Sequence, residues 1–169
     1  VRTPGIVSAE QIAAWEKVCD KVHENDGKIV MQIMPCGRIA AAANKPDSAR
    51  TFAPSTIHAA GKMYTDTDGM VEHDVPLEMT LEDIEQTIND YATAAQKAIN
   101  IGFDGVELHA TSGYLPAQFL STGTNQRKDA YGGSLGNRLK FTLDVLDAMI
   151  YQVGAGPVSY THLTLPTIV

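Results

Sequence analysis

Cysteine is scarce, with only Cys19 and Cys36 in 169 residues. Two thiols make no disulfide framework, and their spacing matches no zinc motif. Both are expected to be free, in a reducing compartment. Basic clusters are also missing. Thirteen Lys and Arg stand against 20 Asp and Glu, a formal charge of −7. Nowhere do cations gather as a phosphate-tracking surface requires, so nucleic acid is not an expected partner. No segment approaches the roughly 20 apolar residues of a membrane-spanning helix, so no membrane partner is expected either. Internal repeats and low-complexity tracts are absent. What is present, 44% hydrophobic residues, can form the core of one globular domain or part of a larger one. The chain opens at Val1 and runs straight into a turn signal, Arg2-Thr3-Pro4-Gly5, as a chain met in mid-protein would. A cytoplasmic location is therefore a default expectation only.

Local signals define an alternating order. Ser8-Ala9-Glu10-Gln11 reads as a capping box, and Ile12, Trp15, Val18, Cys19 and Val22 follow on one helical face, with Gly27 expected to close the helix. Lys28 to Met34 is a short apolar run broken by one amide, Gln32, and fits a strand buried on both faces. From about Pro35 to Met79 no periodicity persists, which predicts a long excursion of loop and turns. Thr80-Leu81-Glu82-Asp83 opens a second helix with a buried face of Ile84, Ile88, Tyr91, Ala95 and Ile99, stopped by Gly102. Gly105 to His109 is a second strand, Ala110 to about Leu135 a loop, and Asn137 to Gln152 a third helix. Helix and strand in alternation imply an α/β fold with parallel crossovers and helices outside the sheet.

Val158 to Leu165 alternates well enough for another strand, but Val158 to Thr167 also resembles the translation of a sequencing-library adapter. Residues 158–169 are accordingly expected to be a non-native tail, and His162 is given no role. Residues 1–157 are expected to be one piece of a single domain.

Four segments carry a family resemblance: Thr3-Pro4-Gly5-Ile6; Gln32 with Gly37-Arg38; Tyr64-Thr65-Asp66 through Met79; and Gly105-Val106-Glu107-Leu108-His109. The last continues through Gly113-Tyr114-Leu115, Gln118-Phe119-Leu120 and Thr124 to Ser134, to end at Asn137-Arg138. Together they resemble the old yellow enzyme family of flavin-dependent oxidoreductases over nearly everything from Thr3 to about Gly154. The resemblance implies a TIM (β/α)8 barrel, of which this chain holds about two of the eight strands with flanking helices and a long loop excursion. It implies non-covalent FMN, reduced by NADH or NADPH, and a small-molecule substrate with an activated C=C bond. Oligomeric state is not implied.

Position agrees with those roles, because barrel enzymes react at the C-terminal ends of strands and His109 ends its strand. Such a histidine can donate a hydrogen bond to a substrate carbonyl, and the hydroxyl of Tyr114, five residues on, can deliver a proton. By resemblance His109 anchors the substrate oxygen beside the flavin, Tyr114 is the proton donor, and Gln32 bonds the flavin pyrimidine edge. On the residues alone, His109 and Tyr114 fit structural hydrogen bonding at least as well. Gln32, as a buried amide, would equally suit a backbone or water partner.

Two departures stand out. The family usually carries Asn or His three residues after the histidine, where this chain has Ser112, a shorter second donor. Relatives often carry Trp-His before the Gly-Arg closing the first strand, where Met34-Pro35-Cys36 stands here, predicting a less aromatic pocket wall. Cys36 has only Arg38 as a cationic neighbour, a poor setting for a redox thiol. Gly132-Gly133 ahead of a helix could suggest a phosphate cradle. The reading preferred is a tight turn in which Arg127, Asp129 and Arg138 tie the loop to the barrel. No metal site is expected. Two alternatives stay open: a dienoyl-thioester reductase of the same superfamily, marked by four metal-spaced cysteines further on, and a colourless, non-catalytic barrel remnant.

Overall fold

The computed structural model describes residues 3–46 and 49–161, with Thr161 described by its backbone alone. Val1, Arg2 and the tail from His162 onward lie outside the described residues. In chain order the elements are α1 (Ala9–His23), β1 (Val30–Ile33), a 3-10 turn (Ala42–Asn44), β2 (Phe52–Ala53), β3 (Lys62–Thr65), β4 (Gly69–Glu72), β5 (Leu77–Glu78), α2 (Leu81–Asn100), β6 (Gly105–His109), α3 (Leu115–Leu120), α4 (Leu135–Val153) and β7 (Val158–Thr161).

The main sheet is parallel, in the order β1-β6-β7. Its register sets Gln32 beside Glu107 and His109 beside Thr161. Side chains alternate between faces along a strand. Met31, Val106 and Leu108 point to one face and join Ile84, Tyr91, Ala95, Phe141, Val145 and Met149 of α2 and α4 in the core. Gln32, Glu107 and His109 belong to the other face. Phe119 of α3 stacks on Phe141, with ring centroids 4.1 Å apart, so this short helix closes the core at the C-terminal end of β6.

The helices begin where the sequence signals them. Ser8 Oγ accepts from Gln11 N while the Gln11 side chain accepts from Ser8 N, and Thr80 and Asp83 repeat the same exchange. At the far end of α1 the expectation fails: Asp26, not Gly27, is the left-handed residue, with φ 56°. Aspartate tolerates that conformation better than most side chains. Ser134 caps α4, whose first residue, Leu135, lies two residues before the expected start.

Three further differences have physical reasons. β1 is not buried on both faces, since Val30 is 54% exposed and Gln32 is exposed. It is an edge strand here, and its Gln32 face is open among the described residues. The excursion is more ordered than its lack of periodicity predicts, with a β3–β4 hairpin and a parallel β2–β5 pair. The hairpin leaves both faces partly in solvent and pairs two exposed side chains, Tyr64 and Met70, so no apolar pattern marks it. Finally, Val158–Thr161 runs parallel to β6, so three strands stand in the sheet where two are expected.

Polar clamps order the excursion. Asp74 accepts from Lys45 Nζ at 2.7 Å, Thr51 Oγ1 at 2.6 Å and Ala42 N at 2.9 Å. Arg127, with only 4% of its side chain exposed, donates to the carbonyls of Pro54 (3.0 Å) and Met79 (2.6 Å) and forks onto Asp129. Arg138 donates to the carbonyls of Leu120 and Gly133. The turn is thus held in the way the sequence reading preferred for Arg127, Asp129 and Arg138. Gly132 is required by packing, because a Cβ there would stand 2.2 Å from the Arg127 carbonyl oxygen.

Candidate functional site

The open face of the sheet carries the polar residues. His109 ends β6, and both of its ring nitrogens are buried without a hydrogen-bond partner among the described residues. Leaving a buried polar group unpaired costs about 1–3 kcal/mol, so such an atom marks a place where a ligand group would repay the loss. The chain then turns through Ser112 (φ 57°) and Gly113 (φ 78°), two successive left-handed residues. That turn returns Tyr114 to the histidine, with ring centroids 5.3 Å apart. Tyr114 is the N-cap of α3, yet its side chain makes no cap hydrogen bond. Ser112 is exposed, with its hydroxyl 3.2 Å from that of Thr111. His109, Ser112 and Tyr114 therefore share one strand end and one turn.

The turn is held from below by Gln118, which is 1% exposed. Its Nε2 donates to the carbonyls of Gly113 (2.8 Å) and Cys36 (3.0 Å), while Oε1 accepts from Arg38 N (3.1 Å). Leu115 N also donates to Pro35 O at 3.1 Å. These bonds fix the Tyr114 turn against the chain leaving β1. Gly37, at φ 59°, admits this approach, since a Cβ there would meet Gln118 Oε1 at 2.1 Å. Sequence reasoning gave Gln118 no role. The available signal was an amide within a short, otherwise apolar run, Leu115 to Leu120.

Gln32 is a correction. It is expected as a buried amide, yet it is exposed, and its Nε2 donates to Glu107 Oε2 at 3.0 Å. Its neighbour is set by the parallel register, and its exposure by the open face. Glu107, a carboxylate in an apolar strand, was passed over by the sequence reading. A cleft of about 520 Å³ beside β1 is lined by Gln32, Met34, Trp15 and Phe103, among others, but by neither His109 nor Tyr114. It runs beside Ile29 to Pro35, on the strand that has no second neighbour among the described residues. Both cysteines are free, as expected. Burial pushes the Cys36 thiol up, which leaves it protonated and argues against a redox role. Among the described residues no cluster suits a metal ion, and no helix is long and apolar enough to cross a membrane.

Polar groups gathered at the C-terminal end of a parallel strand stand where α/β barrel enzymes and open α/β sheets alike place their ligands. Residues 2–162 match the NADH:flavin oxidoreductase / NADH oxidase family, and the chain belongs to it. Among curated relatives, a "Probable flavin mononucleotide-dependent alkene reductase" of Leishmania infantum is 42% identical over 154 residues, covering 89% of this chain and 42% of that protein. "12-oxophytodienoate reductase 1" of Oryza sativa subsp. japonica is 39% identical over 153 residues, covering 90% and 39%. Among solved structures, morphinone reductase in complex with tetrahydroNAD superposes with a TM-score of 0.90 at 38% identity, over 95% of this chain and 46% of that one. The old yellow enzyme homologue from Zymomonas mobilis gives 0.88 at 35% identity, over 94% and 44%. The expected family and barrel fold thus hold. The chain spans about two fifths of the length of these curated relatives.

Proposed function

We propose that this chain is the substrate-binding part of an FMN-dependent oxidoreductase that reduces activated C=C bonds, in α,β-unsaturated carbonyl or nitro compounds, with NADH or NADPH. The observation that carries the reading is His109, whose two buried nitrogens are unpartnered among the described residues at a strand end, beside the Tyr114 ring. Bound FMN supplies a two-electron carrier between the nicotinamide and the alkene β-carbon. The residues present fit it: Gln32 holds an exposed amide toward the open face, and His109 has donor capacity to spare. His109 holds the substrate's carbonyl or nitro oxygen and stabilises charge as it develops there. Ser112 assists as the second donor, its short side chain favouring small substrates. Tyr114 gives the proton to the α-carbon. Gln32 bonds the pyrimidine edge of the flavin.

Residues 1–157 belong to one FMN-binding barrel domain. The three parallel strands of the main sheet among the described residues cannot close a barrel, so the 169-residue chain alone binds FMN weakly and does not turn over. The test uses the full-length gene product with NADPH and 2-cyclohexen-1-one. Tyr114→Phe should slow enone reduction on the order of 100-fold while flavin reduction by NADPH is unchanged. His109→Ala should raise KM for the enone. A full-length protein that purifies without flavin, or a Tyr114→Phe variant with the wild-type rate, would overturn the reading.

A further inference from the structure

Gln32 and Glu107 are register neighbours across β1 and β6, with Gln32 Nε2 donating to Glu107 Oε2 at 3.0 Å. An ionised carboxylate has lone pairs and no hydrogen to give. It can therefore hold only the NH2 end of the amide. Donation of one N–H to the carboxylate leaves the other N–H and Oε1 without a hydrogen-bond partner among the described residues. An exposed amide without such a neighbour can turn over between two orientations of similar energy. No other hydrogen bond to the Gln32 side chain exists among the described residues.

We propose that Glu107 is a positioning residue that locks the Gln32 amide in one orientation, so that an acceptor and a donor face the open side of the sheet as a fixed pair. That pair complements an imide edge, an N–H flanked by a carbonyl, which is the pattern of a flavin pyrimidine ring at N3. A carboxylate here selects against ligands lacking the N–H. With the orientation unlocked, Gln32 could turn its NH2 toward such a ligand and lose the discrimination. The proposal rests on the reading of Gln32 as a flavin contact.

The test titrates the full-length apoprotein with FMN and with N3-methyl-FMN, following flavin fluorescence. Wild type should prefer FMN by about tenfold, as one lost hydrogen bond to a fixed acceptor implies. Glu107→Leu should weaken FMN by roughly fivefold, because only part of the population is then competent, and should cut the preference to threefold or less. In a Gln32→Ala background the same substitution should change neither quantity. Thermal unfolding of each apoprotein shows whether the variant is folded. Should Glu107→Leu not fold, Glu107→Gln, whose own amide pairs either way round, should still halve the preference. Equal weakening of both flavins in both backgrounds would make Glu107 merely structural and end this proposal alone. A Gln32→Ala variant with the wild-type preference would instead remove the flavin contact itself, and this proposal with it.

Discussion

Replacing Arg127 by methionine keeps the aliphatic bulk and removes every donor. Its guanidinium bridges the carbonyls of Pro54 and Met79, which follow β2 and β5 at the same end of that parallel pair, to Asp129 in the loop after α3. Pro54 and Met79 are almost fully buried, so both carbonyls would lose their donor without gaining water. Each unpaired acceptor costs about 1–3 kcal/mol, and losing one half of a largely buried ion pair falls in a similar range. Arg127→Met should therefore lose about 3–5 kcal/mol of stability. Arg127→Lys should lose nearly as much, since a single ammonium cannot fork onto a carboxylate and reach two carbonyls.

The same clamp leaves a pH signature. The Arg127 guanidinium beside it, more than any other group, holds the Asp129 carboxyl below its ordinary value. A carboxyl depressed in the folded state adds stability above its unfolded pKa, about 4, and loses it as pH falls through the folded value. Wild-type stability should fall on acidification through this window, and Arg127→Met should flatten that part of the slope. Urea denaturation followed by circular dichroism, near neutral pH and then below about pH 4, measures both effects. A loss under about 1 kcal/mol, or an unchanged acid slope, would refute the clamp.

Tyr91 is 1% exposed and its hydroxyl has no partner among the described residues, so Tyr91→Phe should leave Tm unchanged or raise it by a few degrees. A clear fall in Tm would show that the hydroxyl is paired. Gly37→Ala forces a Cβ into Gln118 Oε1 at a left-handed φ, and should cost about 3 kcal/mol in denaturant titration. Ser112→Asn should be tolerated at φ 57°, because asparagine accepts left-handed backbone. It should lower KM for enones about fivefold with little change in kcat, by offering a longer donor to the substrate oxygen; an unchanged KM would count against Ser112 as the second donor.

Legibility followed local chemistry. Ser8 and Thr80 announce their helices through side chains that act on backbone three residues away, so the sequence alone reveals them. β6 was readable because Gly105, Val106 and Leu108, three of its five residues, are small or apolar around a single carboxylate, ahead of the terminal His109. By contrast, α3 carries no amphipathic period, since Leu115 to Phe119 are all buried, and it was taken for loop. The hairpin escaped for the opposite reason, having too little burial to pattern. At the site, His109 and Tyr114 could be named from their motif. The roles of Glu107 and Gln118 depend on partners about 75 and 80 residues away, which only the pairing of β1 with β6 brings close.

That dependence explains how a turn with two left-handed residues can be a precise part of the site. Ser112 and Gly113 have few local restraints, and a free loop of this kind would sample many positions for Tyr114. Gln118 removes that freedom by bonding Gly113 on one side and the Cys36–Arg38 backbone on the other, from a buried position where water cannot compete. Asn125 extends the same logic, its Nδ2 joining the carbonyls of Phe119 and Tyr131 at 2.7 and 2.8 Å. The rigid part of the site is thus a set of side-chain clamps on backbone carbonyls, anchored in the core beneath α3. Substitutions in those clamps should disturb the His109–Tyr114 geometry more than substitutions on the exposed hairpin, even though none of the clamps reaches the open face itself.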